Sequence, residues 1–101
     1  MNPSLHVTGH AVDRFRDRVD RSATRAEAIK AIRRISESAH ICSRPRKWCR
    51  LAGVGTVPGT RYLYSAVQPG VCLVVRGNAV VTVFSREACA EWRIPTIGVA
   101  A

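Results

Sequence analysis

The chain has 101 residues, 47% of them hydrophobic, and its sixteen Lys and Arg against seven Asp and Glu give a formal net charge of +9. That length suits one domain, residues 1–101, with a modest core of its own. No apolar run is long enough to cross a bilayer, and Met1-Asn2-Pro3-Ser4-Leu5-His6 carries no basic run followed by an apolar stretch, so neither a membrane span nor a signal peptide is expected.

The expected compartment is therefore the cytoplasm, where Cys42, Cys49, Cys72 and Cys89 are thiols. A charge this large on so short a chain points to a polyanion, because each bound phosphate releases condensed counterions. A charged surface that only keeps the protein in solution is the bland alternative.

In chain order, Val12, Phe15 and Val19 fall on one face at helical spacing, and Thr8 stands where an N-cap belongs. A first helix is expected over about 9–19, with Asp13, Arg14, Arg16, Asp17 and Arg18 on its solvated side. Asp20-Arg21-Ser22-Ala23 breaks the pattern. Thr24-Arg25-Ala26-Glu27 then has the form of a capping box, and Ile29, Ile32, Ile35 and Ala39 continue at helical spacing, so a second helix is expected over 25–38.

After Pro45 the period changes. Residues 47–52 read as a short strand, and Gly53 to Gly59, rich in Gly and Pro, as a loop or ragged hairpin. Residues 60–65 have strand composition. Residues 71–76 and 79–85 are β-rich runs joined across Gly77-Asn78, a two-residue hairpin signal, and being apolar on both faces they should be central strands. Trp92 is a candidate anchor for the tail. Helices first and strands afterwards imply an α+β fold, two N-terminal helices packed on one face of a C-terminal antiparallel sheet of about four strands.

Charge is uneven. Residues 1–50 hold twelve Lys or Arg against five Asp or Glu, and residues 51–101 hold four against two. The densest cluster is Arg44-Pro45-Arg46-Lys47-Trp48-Cys49-Arg50, where cations can neutralise phosphates and the indole can stack on an unpaired base. The alternative is that Trp48 is a core anchor and the cations are only solvated. Between Glu37 and Glu87 there is no Asp or Glu, so the expected sheet offers no carboxylates to hold Mg²⁺. A nuclease built here must use His, Tyr, Arg and Lys. Such groups suit RNA, whose 2′-hydroxyl is an internal nucleophile.

The candidate catalytic residues are His10, Arg14, Tyr64 and Arg76. His6 and His10 flank the start of the first helix, and Arg14 lies one turn beyond His10. Tyr62 and Tyr64 share one face of a strand, and Arg61, Arg76 and Arg86 lie in or beside strands where they could clamp a phosphate. Each has an ordinary structural reading too: capping or surface for the histidines, core packing for the tyrosines. Arg44, Arg46, Lys47, Trp48, Arg50, Arg61 and Arg86 are the candidate nucleic-acid contacts. His40, Cys42 and Cys49 are close in sequence, but no Cys-x-x-Cys is present and their spacing fits no common zinc site, so no metal or other cofactor is expected.

His10-Ala11-Val12-Asp13-Arg14-Phe15-Arg16-Asp17-Arg18, Thr24-Arg25-Ala26-Glu27 and Val80-Val81-Thr82-Val83-Phe84 together resemble short bacterial and phage proteins of the RelE-like ribonuclease toxins, within the barnase–colicin–RelE superfamily. The resemblance covers residues 6–86 and carries over only His10, Arg14 and Thr82. It implies a helical pair on a curved antiparallel sheet, RNA as substrate, in some cases on the ribosome, metal-independent cleavage, and an acidic antitoxin as a partner. The Gly- and Pro-rich segment 53–59 departs from the pattern. The function expected is a metal-independent ribonuclease of the toxin type. The alternative is a non-catalytic module, such as a phage-encoded inhibitor, that grips a nucleic acid or a host protein.

Overall fold

The computed structural model describes residues 5–51, 53–55, 57–68 and 70–87; the expected Trp92 anchor lies outside them. The elements run β1 (His6–Val7), α1 (Gly9–Arg18), α2 (Arg25–Ser38), β2 (His40–Cys42), α3 (Lys47–Leu51), β3 (Thr60–Tyr64), β4 (Val71–Arg76) and β5 (Ala79–Ser85). None of the described helices is long and apolar enough to cross a membrane.

Both long helices start where their caps dictate. The Thr8 side chain accepts from the Ala11 backbone N–H at 3.2 Å, satisfying one of the free donors at the start of α1. In α2 the box is reciprocal: Thr24 Oγ1 accepts from the Glu27 N–H, and Glu27 Oε1 accepts from the Thr24 N–H. The apolar faces of the two helices, Val12 and Phe15 from α1 and Ala28, Ile32 and Ile35 from α2, lie against one face of the sheet. There they meet Leu63, Val71, Leu73, Val75, Val80 and Val83. Each fully buried Ile or Val contributes on the order of 1.5–3 kcal/mol by leaving water.

The sheet has five strands in the order β1-β5-β4-β3-β2. Its central pairs are antiparallel, and β1 runs parallel to β5. The expected four-stranded antiparallel sheet is corrected in two ways. Segment 47–51 is a helix, and the sheet gains a short strand at each edge. These edge strands are too short to show a period, and they exist through pairing: the His6 N–H donates to the Asn78 carbonyl at 2.7 Å, and Ile41 sits opposite Leu63. The β4–β5 hairpin turns at Gly77, whose φ of 60° needs no Cβ relief, while Asn78 is not left-handed, as a II′ turn requires.

Strand alternation assigns the second face of the sheet to Tyr62, Tyr64, Cys72 and Val74, and α3 covers part of it with Cys49 and Trp48. Strand β4 is thus buried on both faces, as its unbroken apolar run implies. Near the middle of β5 the register with β4 slips: Val75 pairs with Val80, and Val74 pairs with Thr82. This bulge leaves Val81 without a partner on β4 and bends the strand.

Candidate functional site

Helix α1 buries Ala11, Val12 and Phe15, which leaves His10, Arg14 and Arg18 in a row along one flank at four-residue steps. Two hydrogen bonds fix that flank against β5. Thr8 Oγ1 donates to the Val80 carbonyl at 2.9 Å, and Arg18 Nη1 donates to the Val83 carbonyl at 2.9 Å. Both carbonyls lie on the outer edge of β5, whose pairing with β1 ends at Val80. Arg18 therefore occupies a hydrogen-bonding position that an open strand edge would otherwise present. Its guanidinium also stands 5.1 Å from the centre of the Phe84 ring.

The row overhangs the second face of the sheet. Between α1, the part of that face left open by α3 and the loop after α3 lies a cleft of about 530 Å³. His10, Arg14 and Arg18 line it from the helix and Arg76 from the end of β4, while Val81, Thr82 and Phe84 form its floor along β5. Tyr62 ties the far wall: its hydroxyl, on a ring only 1% exposed, donates to the Gly55 carbonyl at 2.8 Å. The bulge matters here, because it brings the consecutive residues Val81 and Thr82 to the same cleft.

Three guanidiniums and an imidazole thus share one cleft, and among the described residues no Asp or Glu lines it. Arg14 has an exposed partner in Asp17 at 3.2 Å, an ion pair of the kind worth under about 1 kcal/mol that a phosphate could displace. Arg76 Nε donates to Thr60 Oγ1 at 3.3 Å, which orients its guanidinium. Same-sign charges over a low-dielectric floor focus the field and raise the local concentration of an anion.

Of the four candidate catalytic residues, His10, Arg14 and Arg76 are brought together. Tyr64 is not: it is buried under α3, where its hydroxyl accepts from the Arg46 N–H and donates to Cys49 Sγ at 3.4 Å. Burial holds its phenol well above the ordinary range. The hydrogen bond that its S–H donates to Cys49, and then burial, hold the Cys72 thiol up as well, and accepting that bond draws Cys49 down. His40, Cys42 and Cys49 do not converge. Among the described residues no three His, Cys, Asp or Glu side chains are grouped to hold a metal ion.

The basic cluster divides. Trp48 is half-buried and packs edge-on against Tyr64, with ring centres 5.9 Å apart, so it anchors α3. The guanidinium of Arg46 lies over the Tyr64 ring at 4.2 Å, and Arg44, Lys47 and Arg50 are exposed. Arg61 leaves β3 on the helix side of the sheet and donates to the Gly77 carbonyl at 2.8 Å. Arg86 follows β5 and is exposed beyond the cleft. The residue that sequence reasoning left out of the site is Arg18, although the same four-residue step that joins His10 to Arg14 leads to it.

Compared with family models, with curated proteins and with solved structures, the chain matches none.

Proposed function

We propose that the chain is a small basic RNA-binding protein that cleaves RNA without a metal ion, and that the cleft between α1 and the open sheet face is its site. The observation that carries this reading is the convergence of His10 with Arg14, Arg18 and Arg76 over a floor free of carboxylates among the described residues. An imidazole titrates near neutral pH, and guanidiniums bind phosphate oxygens in forked geometry.

In this reading Arg14 and Arg76 hold the scissile phosphate. His10 accepts the proton of the adjacent 2′-hydroxyl as that oxygen bonds to phosphorus. The P–O5′ bond breaks, and the departing oxygen takes a proton from water. The products are a 2′,3′-cyclic phosphate and a 5′-hydroxyl. The arginines also stabilise the charge that builds on the phosphorane oxygens. Tyr64, held under α3, takes no part.

Cleavage in EDTA tests the proposal, with total RNA and with translating ribosomes as substrates. Wild-type protein should cut at least one of them. His10→Ala should lose roughly 10²–10⁴-fold in rate, the usual contribution of a general acid or base. Arg14→Ala should slow turnover with the fold intact, and RNA with 2′-hydrogen in place of the hydroxyl should bind and stay whole. If neither substrate is cut, or His10→Ala cuts as fast as wild type, the catalytic role is lost.

A second reading keeps the cleft and drops the chemistry. It is favoured by one observation: among the described residues His10 is the only imidazole lining the cleft, so no second histidine is there to protonate the leaving oxygen. Salt-dependent RNA binding without cleavage would select it.

A further inference from the structure

The cleft and the basic segment 44–50 lie on the same face of the sheet. Register places them along one line. Arg76 opposite Thr60 marks the cleft end, Val74 opposite Tyr62 comes next, and Cys72 opposite Tyr64 lies under α3, where Arg46 caps the Tyr64 ring. From Thr60 to Tyr64 is four steps of β3, roughly 13–14 Å at the usual rise.

The cations at the α3 end are available to a ligand. Arg44, Lys47 and Arg50 are exposed, and among the described residues the ion pairs are Arg14–Asp17 and Arg25–Asp13, neither of which involves this segment. Arg46 is held by an aromatic ring rather than by a carboxylate, so its charge is not neutralised. The acid-free stretch from Ser38 to Arg86 contains the whole path between the two ends.

The cleft itself is too small for more than part of such a ligand: about 530 Å³ is the size of a small-molecule pocket. Its half-buried floor of Val81 and Phe84 offers apolar and aromatic surface. A base can use such surface only when its face is not already stacked in a duplex.

Tyr62 and Val74, between the two ends, are buried, with Val54 of the loop after α3 packed on them and Tyr62 bonded to its Gly55. Resting on the proposed RNA-binding reading, we infer that the ligand is an extended single strand, laid from the α1–β5 cleft over that loop to the α3 cations. One nucleotide sits in the cleft, and its neighbours meet Arg44, Arg46, Lys47 and Arg50. The site spans on the order of four nucleotides, the short end of single-strand site sizes. The α3 segment thereby sets the length and strandedness of the RNA that is held, while the cleft holds the reacting phosphate.

Fluorescence anisotropy with labelled 2′-O-methyl RNA of two, four and eight nucleotides, and with a blunt duplex of the same sequence, tests this. Affinity should rise at least about tenfold from two to four or more nucleotides, the equivalent of one additional stacked base. The duplex should bind more weakly than the eight-nucleotide strand.

Arg44→Ser/Lys47→Ser/Arg50→Ser should bring the eight-nucleotide affinity towards that of the dinucleotide. It should also make the salt slope shallower by about 2, at roughly 0.7 per phosphate contact on a single strand. Removing equal charge from α2, with Lys30→Ser/Arg33→Ser/Arg34→Ser, controls for net charge and should leave the length dependence in place. Affinity independent of length, a duplex that binds as well as the strand, or equal losses in the two triple variants would overturn the track while leaving cleft binding standing. Absence of binding at every length would overturn the RNA reading along with it.

Discussion

Two hydroxyls on one strand face are put to different uses. Tyr64 Oη bridges the Arg46 N–H at the entry to α3 and the Cys49 thiol, whereas Tyr62 Oη holds the Gly55 carbonyl at the cleft wall. Tyr64→Phe leaves a backbone donor without its partner and should cost about 1–3 kcal/mol in urea unfolding, with His10-dependent cleavage retained. A large loss of cleavage in a folded Tyr64→Phe protein would return that residue to the site.

The same phenol makes a pH prediction. Its folded value is raised by burial above the ordinary 10.0, so the unfolded chain ionises first. Its contribution to stability is then fully present below about pH 10 and is lost as pH rises beyond it. Wild-type protein should therefore lose stability above that pH more steeply than Tyr64→Phe, and unfolding midpoints at pH 9, 10 and 11 decide it.

At the scale of elements, α2 was legible from sequence because its signals are local. The capping box and the isoleucine spacing both lie within residues 24–39, and the helix occupies the expected 25–38. Thr24→Ala should accordingly cost about 1 kcal/mol without touching RNA binding, as thermal unfolding and anisotropy together would show. Helix α3 was read as a strand because five residues cannot separate a period of two from one of 3.6. What holds it is tertiary: Trp48 and Arg46 against Tyr64, about sixteen residues on in sequence. The edge strands β1 and β2 were invisible for the same reason. Their two and three residues carry no pattern, and their conformation follows from pairing with β5 and β3.

The site was legible in proportion to how local its geometry is. His10 and Arg14 share a helix face by spacing alone, so their proximity could be read directly. That Arg76 joins them depends on β-register and on the bulge at Val81, which no short window of sequence reveals. Placing Trp48 needed the packing of α3, because an indole flanked by cations looks the same in sequence whether it faces a base or a tyrosine.

At the scale of the molecule, the two sides of the sheet are divided, in the proposed reading, between stability and binding. One side buries the α1–α2 core; the other carries α3, the cleft and the acid-free path between them. The central claim is that RNA binds on that second side with its phosphate beside α1. The most direct measurement is a titration of ¹⁵N-labelled protein with a non-cleavable eight-nucleotide RNA, followed by amide chemical shifts. Shifts should concentrate at His10 to Arg18, Val74 to Arg76 and Val81 to Phe84, with the α3 segment from Arg44 to Arg50 also moving, and should weaken with added salt. Shifts confined to the outer face of α2, around Lys30, Arg33 and Arg34, with the cleft amides unmoved, would contradict the account.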